Sequence, residues 1–315
     1  MKRTPLIFIA LTILTACSGE RNVIPATATI NLATSTFGVP TSIPIPPTAI
    51  PIKPQDTQAP TSTLPMSDWE SLPIVPNVSA DMVAVYQRGL AHGRNPGRFS
   101  KIGDCQNITT YFLAEFDNPK EYRLGSTYAY LQPTINHFAG SWSRESIAVH
   151  GGMNVAAVQS PFWDLTAKPA ECQPGESPLV CEIRVYNPSI VIISMEESWS
   201  GDIVKYDKYM RMIVEYTLSQ DVVPILATRA EPINPTISIN ATVARIANDY
   251  HLPLWNFWAA ANPLPNNGLT GDGFHLTWAA PYFDDPQRML NGWPWRNLTA
   301  LQVIDAVWRG VSNGH

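Results

Sequence analysis

Charge is scarce in this 315-residue sequence: Asp, Glu, Lys and Arg make up only 15% of it, and their balance gives a net charge of −5. A nucleic-acid-binding surface needs a basic surplus, so we expect no nucleic-acid partner. The sequence also has no P-loop, no G-x-S-x-G elbow, no H-E-x-x-H pair and no histidines at metal-ligand spacing. These absences argue against the corresponding nucleotide-binding, α/β-hydrolase and zinc-protease classes, and we expect neither a metal nor a cofactor.

Long apolar runs are also missing, since no stretch reaches the ~18 residues that a membrane-spanning helix needs. The short apolar segment Leu6–Leu14 follows the basic residues Lys2 and Arg3, and this pattern is typical of a signal peptide. We therefore expect residues 1–17 to direct the chain out of the cytoplasm.

The sequence Leu14-Thr15-Ala16-Cys17 at the end of this segment resembles the lipobox of bacterial lipoproteins. In those proteins cleavage precedes the cysteine, whose sulfur then receives a diacylglycerol. The resemblance implies that lipidated Cys17 holds the mature protein at a bacterial membrane surface, outside the cytoplasm, without a spanning helix. The alternative is an ordinary secretory signal in which the cysteine falls at this position by chance.

Residues 18–65 are predicted to form an extended tether. Between Pro25 and Pro65 the sequence has nine prolines and nine threonines, and its only charged residues are Lys53 and Asp56. Proline fixes φ and lacks an N–H donor, so this composition favours polyproline II over a packed core and reaches on the order of 100 Å. The alternative is a proline-rich edge of the folded domain.

Residues 66–315 alternate predicted strands with predicted helices. The unbroken apolar run Ile190–Ile193 is typical of a central parallel strand that is covered on both faces. The alternation predicts a three-layer α/β/α sandwich with a five-stranded, mostly parallel sheet. The predicted strands are 99–102, 146–150, 189–194, 222–227 and 252–257, and the main predicted helices are 79–92, 203–220, 241–250 and 298–309, the last between an Asn297 cap and a Gly310 stop.

A candidate catalytic set lies near the two ends of this domain sequence. The first strand ends in Gly103-Asp104-Cys105, and Gly271-Asp272-Gly273-Phe274-His275 lies near the end. Ligands bind at the carboxyl ends of parallel strands, where a strand-to-helix turn stabilises a thiolate on Cys105. We expect His275 to take the thiol proton and Asp272 to hold the imidazole in the correct tautomer. The alternative is a chance D-x-x-H with a polar surface histidine.

Between Phe99 and Trp278 the sequence resembles the SGNH/GDSL hydrolase family. Residues 102–105 resemble its first block, in which G-D-S supplies the nucleophile, and residues 271–276 resemble its last block, D-x-x-H. Gly152 is the candidate for the second-block glycine, whose N–H joins that of the nucleophile in the oxyanion hole. The resemblance implies a five-stranded parallel α/β sandwich that hydrolyses an ester or acyl group.

Two departures from the family pattern change the expected chemistry. Cys105 replaces the nucleophilic serine, which implies a thioester intermediate. Glu196-Glu197-Ser198-Trp199 stands where the family has G-x-N-D, so Ser198 replaces the asparagine that donates to the oxyanion. Losing a well-placed donor typically costs ~3–4 kcal/mol in the transition state, and Ser198 is expected to be the weaker third donor.

The remaining cysteines bear on the nucleophile. Outside the cytoplasm, three cysteines besides Cys17 leave one thiol over. Cys172 and Cys181 flank a short loop, so we expect a disulfide between them and a thiol at Cys105. The alternative is a disulfide from Cys105 to one of the others, which would remove the nucleophile.

Two functions follow from these patterns. The first is a membrane-anchored esterase, deacetylase or acyltransferase that acts on a small acyl ester or an acylated glycan through Cys105, His275 and Asp272. The second is a weakly active or inactive surface lipoprotein that binds glycans or other ligands. The aromatic residues between Trp255 and Trp295 fit either a sugar- or acyl-binding rim or simple packing of the C-terminal segment.

We expect Cys17→Ala to move the protein from the membrane fraction to the soluble fraction, because the substitution removes the acylated sulfur. Fractionation of cells that express each form measures this. A Cys17→Ala chain that stays membrane-bound would contradict attachment through this residue.

Overall fold

The structure, a computed structural model, describes residues 66–163, 169–195, 201–236 and 238–312. Within these ranges, no helix combines the length and the apolar character that crossing a membrane requires. The predicted signal peptide with Cys17, the predicted tether and the predicted oxyanion donor Ser198 lie outside the described residues.

Four parallel strands form one sheet, and they follow one another in the sheet in the order of the chain. Every residue of the second and third strands is buried, as expected for strands covered on both faces. The predicted α/β class with a parallel sheet is therefore confirmed. The strands are β1 (Asn95–Gly103), β2 (Pro188–Ser194), β3 (Val223–Ala227) and β4 (Leu254–Trp255).

The prediction of a fifth strand at residues 146–150 is wrong. This segment makes a single parallel bridge, between Val149 and Gly103 at the end of β1. Its backbone is engaged elsewhere, because the N–H of Ile147 donates to the carboxylate of Glu182 at 2.9 Å. Among the described residues the sheet therefore has four strands, and the segment runs beside the carboxyl end of β1 without extending the ladder.

The helices begin and end close to the predicted positions for three of the four main predictions. The helix predicted over residues 79–92 is capped by Ser79, whose hydroxyl accepts the N–H of Met82 at 3.3 Å. The α-helices are α1 (Ala80–Ala91), α2 (Gly125–Tyr128), α3 (Gln132–His137), α4 (Pro178–Tyr186), α5 (Ile203–Ser219), α6 (Asn240–Asp249), α7 (Phe257–Ala261) and α8 (Gly292–Ser312). Short 3₁₀ helices include Met66–Ser71, Cys105–Asn107, Ala114–Asp117, Ala129–Leu131, Ala157–Gln159, Pro265–Gly268 and Arg288–Leu290.

The C-terminal helix is longer than predicted. Neither the Asn297 cap nor the Gly310 stop is correct, since both residues lie inside α8. The side chain of Asn297 serves a distant loop instead: it accepts the N–H of Leu113 at 3.0 Å and donates to the carbonyl of Tyr111 at 3.1 Å. The amide that suggested a local cap therefore fixes the chain that follows β1.

One arginine of α8 is fully buried against the sheet. The guanidinium carbon of Arg296 lies 4.8, 5.1 and 5.2 Å from the ring centroids of Phe112, Trp255 and Phe257. Its Nη2 atom donates to the hydroxyl of Ser194, the last residue of β2, at 3.0 Å. Aromatic faces stabilise a buried guanidinium, so this side chain joins α8 to the carboxyl end of the sheet.

Two further buried groups are ionisable, one within β1 and one in the chain that follows it. Lys101, within the strand, donates from Nζ to the carbonyl of Trp142 at 3.1 Å, and burial lowers the pKa of this lysine to about 8. Burial raises the pKa of Glu115 to about 7, and its Oε1 atom has no hydrogen-bond partner among the described residues. Removing a charged form from water shifts both groups toward the neutral form.

We expect Glu115→Gln to stabilise the protein at pH 8 and to lose this effect at pH 5. The pKa of Glu115 is higher in the folded than in the unfolded state, so the folded wild type holds the extra proton between about pH 4.5 and 7. The contribution of Glu115 to the free energy of unfolding therefore falls as the pH rises through this window. Glutamine does not titrate, so the Glu115→Gln variant lacks this loss.

Thermal unfolding at both pH values measures this difference. Glu145→Gln, at an exposed position, is the matched control, because water solvates its carboxylate in both states. A difference in Tm between Glu115→Gln and wild type that is equal at pH 5 and pH 8 would contradict the assignment.

Candidate active site

Cys105 lies at the carboxyl end of β1, at the first position of a short 3₁₀ turn. The preceding Asp104 is fully buried and caps this turn, since its carboxylate accepts the N–H of Gln106 at 3.1 Å. Cys105 itself is half-buried. The turn thus presents the thiol at the edge where parallel sheets bind their ligands.

The glycine before this turn is required by close packing. A Cβ atom on Gly103 would lie 2.0 Å from Nδ2 of Asn107 and 2.6 Å from the carbonyl oxygen of Ser194. The two neighbours are themselves joined, because Asn107 Nδ2 donates to that carbonyl at 2.8 Å. The position of the Cys105 turn is therefore set by direct contact with the end of β2.

Asp272 and His275 form a preassembled pair in an exposed loop. The Asp272 carboxylate lies 2.6 Å from Nδ1 of His275, and it also accepts the N–H groups of Phe274 and His275 and the hydroxyl of Thr270. These contacts, the His275 hydrogen bond above all, hold the pKa of Asp272 well below its usual range. The carboxylate stays ionised and orients Nδ1–H, which leaves Nε2 of the imidazole as the atom that accepts a proton.

A hydrogen bond from Gln106 joins the Cys105 turn to this loop. Gln106 Nε2 donates to the carbonyl oxygen of Phe274 at 2.7 Å. Gln106 directly follows Cys105, and Phe274 directly precedes His275. Two segments that lie 168 residues apart in the chain are thereby held against each other.

The segment that carries Gly152 also adjoins the end of β1. Gly103 donates its N–H to the carbonyl of Ala148 at 3.0 Å, and its carbonyl accepts the N–H of His150 at 3.3 Å. Gly152 follows in an exposed turn with φ of +76°, in the left-handed region that favours glycine. The structure therefore brings the predicted second-block glycine to the same edge as Cys105, whereas Ser198 lies outside the described residues.

The polar residues beneath Cys105 were not identified from the sequence. Asn107 and Ser194 contact each other and Arg296, whose Nη2 lies 3.5 Å from Asn107 Oδ1 and 3.0 Å from Ser194 Oγ. The sequence holds one indication of this cluster: Arg296 lies among the aromatic residues of segment 293–298, and a charge among apolar residues needs buried polar partners. Nothing in the sequence pairs Gln106 with Phe274.

The predicted disulfide between Cys172 and Cys181 is confirmed, with the two Cα atoms 5.3 Å apart. Cys105 is not part of a disulfide. The alternative pairing, in which the candidate nucleophile is consumed, is therefore wrong in this structure.

The aromatic residues near the site divide into packed and exposed ones. Trp293 is buried and stacks on Tyr111 with ring centroids 5.5 Å apart, and Trp258 meets Trp69 edge to face at 5.0 Å. Trp278, at the end of the loop with the Asp–His pair, is 66% exposed. Packing therefore accounts for Trp293, while Trp278 offers an aromatic face to the solvent.

These elements define an α/β protein with a cysteine turn and an Asp–His loop at one edge of a parallel sheet. Comparison with solved structures finds a likeness to a GDSL-like lipase from Bacteroides thetaiotaomicron, with 16% sequence identity and a TM-score of 0.39. The alignment covers 71% of this chain and 98% of that chain. No family model and no curated protein matches the chain. The case for a function therefore rests on the residues of the chain itself.

We expect iodoacetamide to label Cys105 alone among the three cysteines at positions 105, 172 and 181 when the unreduced protein is denatured. The disulfide protects the other two sulfurs, because only a thiolate is alkylated. Peptide mapping by mass spectrometry locates the label, and prior reduction, which should expose all three, is the control. An unlabelled Cys105 would remove the candidate nucleophile.

Proposed function

We propose that the protein is an SGNH/GDSL-type hydrolase of three-layer α/β/α fold that cleaves an ester or acyl group. Cys105 is the nucleophile, His275 the general base and acid, and Asp272 the residue that orients the imidazole. The observation that carries this proposal is the hydrogen bond from Gln106 to Phe274, which holds the Cys105 turn against the loop with the Asp–His pair.

The first half of the reaction forms a thioester. Nε2 of His275 takes the thiol proton, and the sulfur attacks the ester carbonyl carbon, so that a C–S bond forms and an electron pair moves onto the carbonyl oxygen. When that pair returns, the bond to the leaving oxygen breaks, and His275 gives its proton to the departing alcohol. Asp272 remains ionised and stabilises the imidazolium, in keeping with its lowered pKa.

The second half regenerates the enzyme. His275 removes a proton from water as the water oxygen attacks the thioester carbon. The C–S bond then breaks, the carboxylic acid leaves, and the sulfur regains a proton from His275. Acyl transfer is the same step with an alcohol or amine in place of water.

The oxyanion is assigned to backbone donors. The N–H groups of Cys105 and Gly152 belong to two segments that adjoin at Gly103, and such preorganised donors stabilise charge that develops on a carbonyl oxygen. Ser198 is the proposed third donor. Its block departs from the family pattern, so the rate is expected to be modest.

The proposed substrate is a small acyl ester or an acylated glycan. The exposed ring of Trp278 belongs to the segment with His275, and the Tyr111–Trp293 stack belongs partly to the segment with Cys105. Aromatic faces pack well against pyranose rings, which supports a carbohydrate next to the acyl group.

The proposed location is a bacterial membrane surface outside the cytoplasm, with a lipid on Cys17 and residues 18–65 as the tether. The disulfide between Cys172 and Cys181 supports this location, because disulfides persist in oxidising compartments.

A second candidate function is binding of a glycan or another ligand without turnover. The sequence Glu196-Glu197-Ser198 favours it, because it lacks the asparagine donor and has two acidic residues directly before the proposed third donor. The intact Asp272–His275 pair favours the hydrolase.

We expect the full chain to hydrolyse small acetyl or butyryl esters, and Cys105→Ala and His275→Ala to reduce turnover to background. Asp272→Asn should lower kcat on the order of 10²–10⁴-fold, because it removes the charge that orients the imidazole. His92→Ala is the matched control, since His92 also pairs with an aspartate, Asp221, at 2.8 Å but lies outside the site.

Turnover is measured by release of a chromogenic alcohol. Equal rates in the wild type and the three site variants would overturn the assignment of the site. A wild type that turns over none of these esters would overturn the hydrolase proposal in favour of the binding function.

A further inference from the structure

We propose that Gln106 is a positioning residue, whose side chain sets the position of the His275 imidazole relative to Cys105. This inference rests on the hydrolase function proposed above and adds a residue to its machinery. Three observations support it: Gln106 is buried, its side chain donates to the carbonyl of Phe274, and the loop that contains Phe274 also contains the Asp–His pair.

Hydrogen bonds hold both the backbone and the side chain of Gln106. It is only 2% exposed, and its backbone N–H is held by the carboxylate of Asp104 at 3.1 Å. Its Nε2 donates to the carbonyl of Phe274 at 2.7 Å, while its Oε1 is buried with no hydrogen-bond partner among the described residues. Burying an unsatisfied acceptor is unfavourable, so the donor contact is the reason for an amide at this position.

The tip of the catalytic loop, residues 270–275, has few other attachments. Two side-chain hydrogen bonds reach the tip from other described residues: that from Gln106 to Phe274, and that from Asn266 in the adjoining 3₁₀ helix to the carbonyl of Thr270 at 3.3 Å. Of these two, the bond from Gln106 is the one that comes from the Cys105 turn. The base of the loop is held separately by α8, since Gly292 and Trp293 donate their N–H groups to Oγ1 and the carbonyl of Thr277 at 2.9 and 3.0 Å. The Asp–His pair is thus hydrogen-bonded within its own loop, and its position relative to the Cys105 turn depends on Gln106.

The contact lies where a small displacement has a large effect. Gln106 is one residue from the proposed nucleophile, and Phe274 is one residue from the proposed base. Proton transfer from Cys105 to His275 requires hydrogen-bond distance, and a misplacement of about 1 Å reduces rates by as much as about 10²-fold.

The test uses the full chain with Gln106→Met, which keeps the length and bulk of the side chain but has no donor. We expect kcat for ester hydrolysis to fall about 10- to 100-fold with little change in KM, because only the geometry of proton transfer is altered. The rate of Cys105 alkylation by iodoacetamide, followed against pH, should lose the component that depends on His275. Gln106→Leu also removes the donor and should have the same effect. It replaces the methionine variant if that variant does not fold.

Gln159→Met is the matched control. Gln159 also donates to backbone carbonyls, those of Val155 at 2.7 Å and of Tyr209 in α5 at 2.9 Å, and these bonds involve neither the Cys105 turn nor the Asp–His loop. Its substitution should lower Tm while kcat and the alkylation profile stay at the wild-type values. This separates loss of a buried amide in general from loss of the contact to Phe274.

The outcomes distinguish this inference from the function on which it rests. If alkylation of the wild type depends on His275 but the Gln106 variants match the wild type in kcat and pH profile, the positioning role is wrong and the hydrolase proposal stands. If His275→Ala alkylates like the wild type, Cys105 and His275 do not act together and both proposals fail. A lower Tm in the Gln106 variants, with unchanged kcat and profile, also overturns the positioning role.

Discussion

The buried guanidinium of Arg296 contacts Ser194 at the end of β2 and Asn107 just after β1. These contacts hold the carboxyl ends of the two strands, where the candidate site lies. The guanidinium is enclosed by three aromatic rings, and its Nη2 atom is held by the side chains of Ser194 and Asn107. Asn107 in turn packs so closely on Gly103 that a larger residue would not fit. The long helix, the sheet and the turn of Cys105 are therefore positioned by the same few side chains.

The two halves of the candidate site are built on different principles. The Cys105 turn is an extension of the core, and its geometry follows from tertiary packing around a strand end. The loop of Asp272 and His275 is organised by its own residues, because the carboxylate of Asp272 contacts backbone and side-chain groups within three positions along the chain. The hydrogen bond from Gln106 to Phe274 links these two halves, which is why this glutamine is central to the proposed geometry.

The sequence was informative where the deciding interactions are local or strongly apolar. The run Ile190–Ile193 predicted a central strand, and the spacing of Asp272 and His275 predicted their pairing, because both depend on neighbouring residues. The predictions for residues 146–150 and for Asn297 are wrong for the opposite reason, because distant residues decide these interactions. The N–H of Ile147 donates to Glu182, and the side chain of Asn297 accepts the N–H of Leu113. The contact of Gln106 with Phe274 spans most of the domain, and no periodicity or motif encodes it.

The disulfide between Cys172 and Cys181 has a consequence for survival under oxidants. A reactive cysteine that is oxidised to sulfenic acid is commonly rescued by a neighbouring thiol, which condenses with it and prevents further oxidation. Cys172 and Cys181 are already joined to each other, so neither offers a thiol that could condense with an oxidised Cys105. These two cysteines therefore give Cys105 no protection against oxidation to the irreversible sulfinic acid, and an external reductant is a route that returns its sulfenic acid to the thiol.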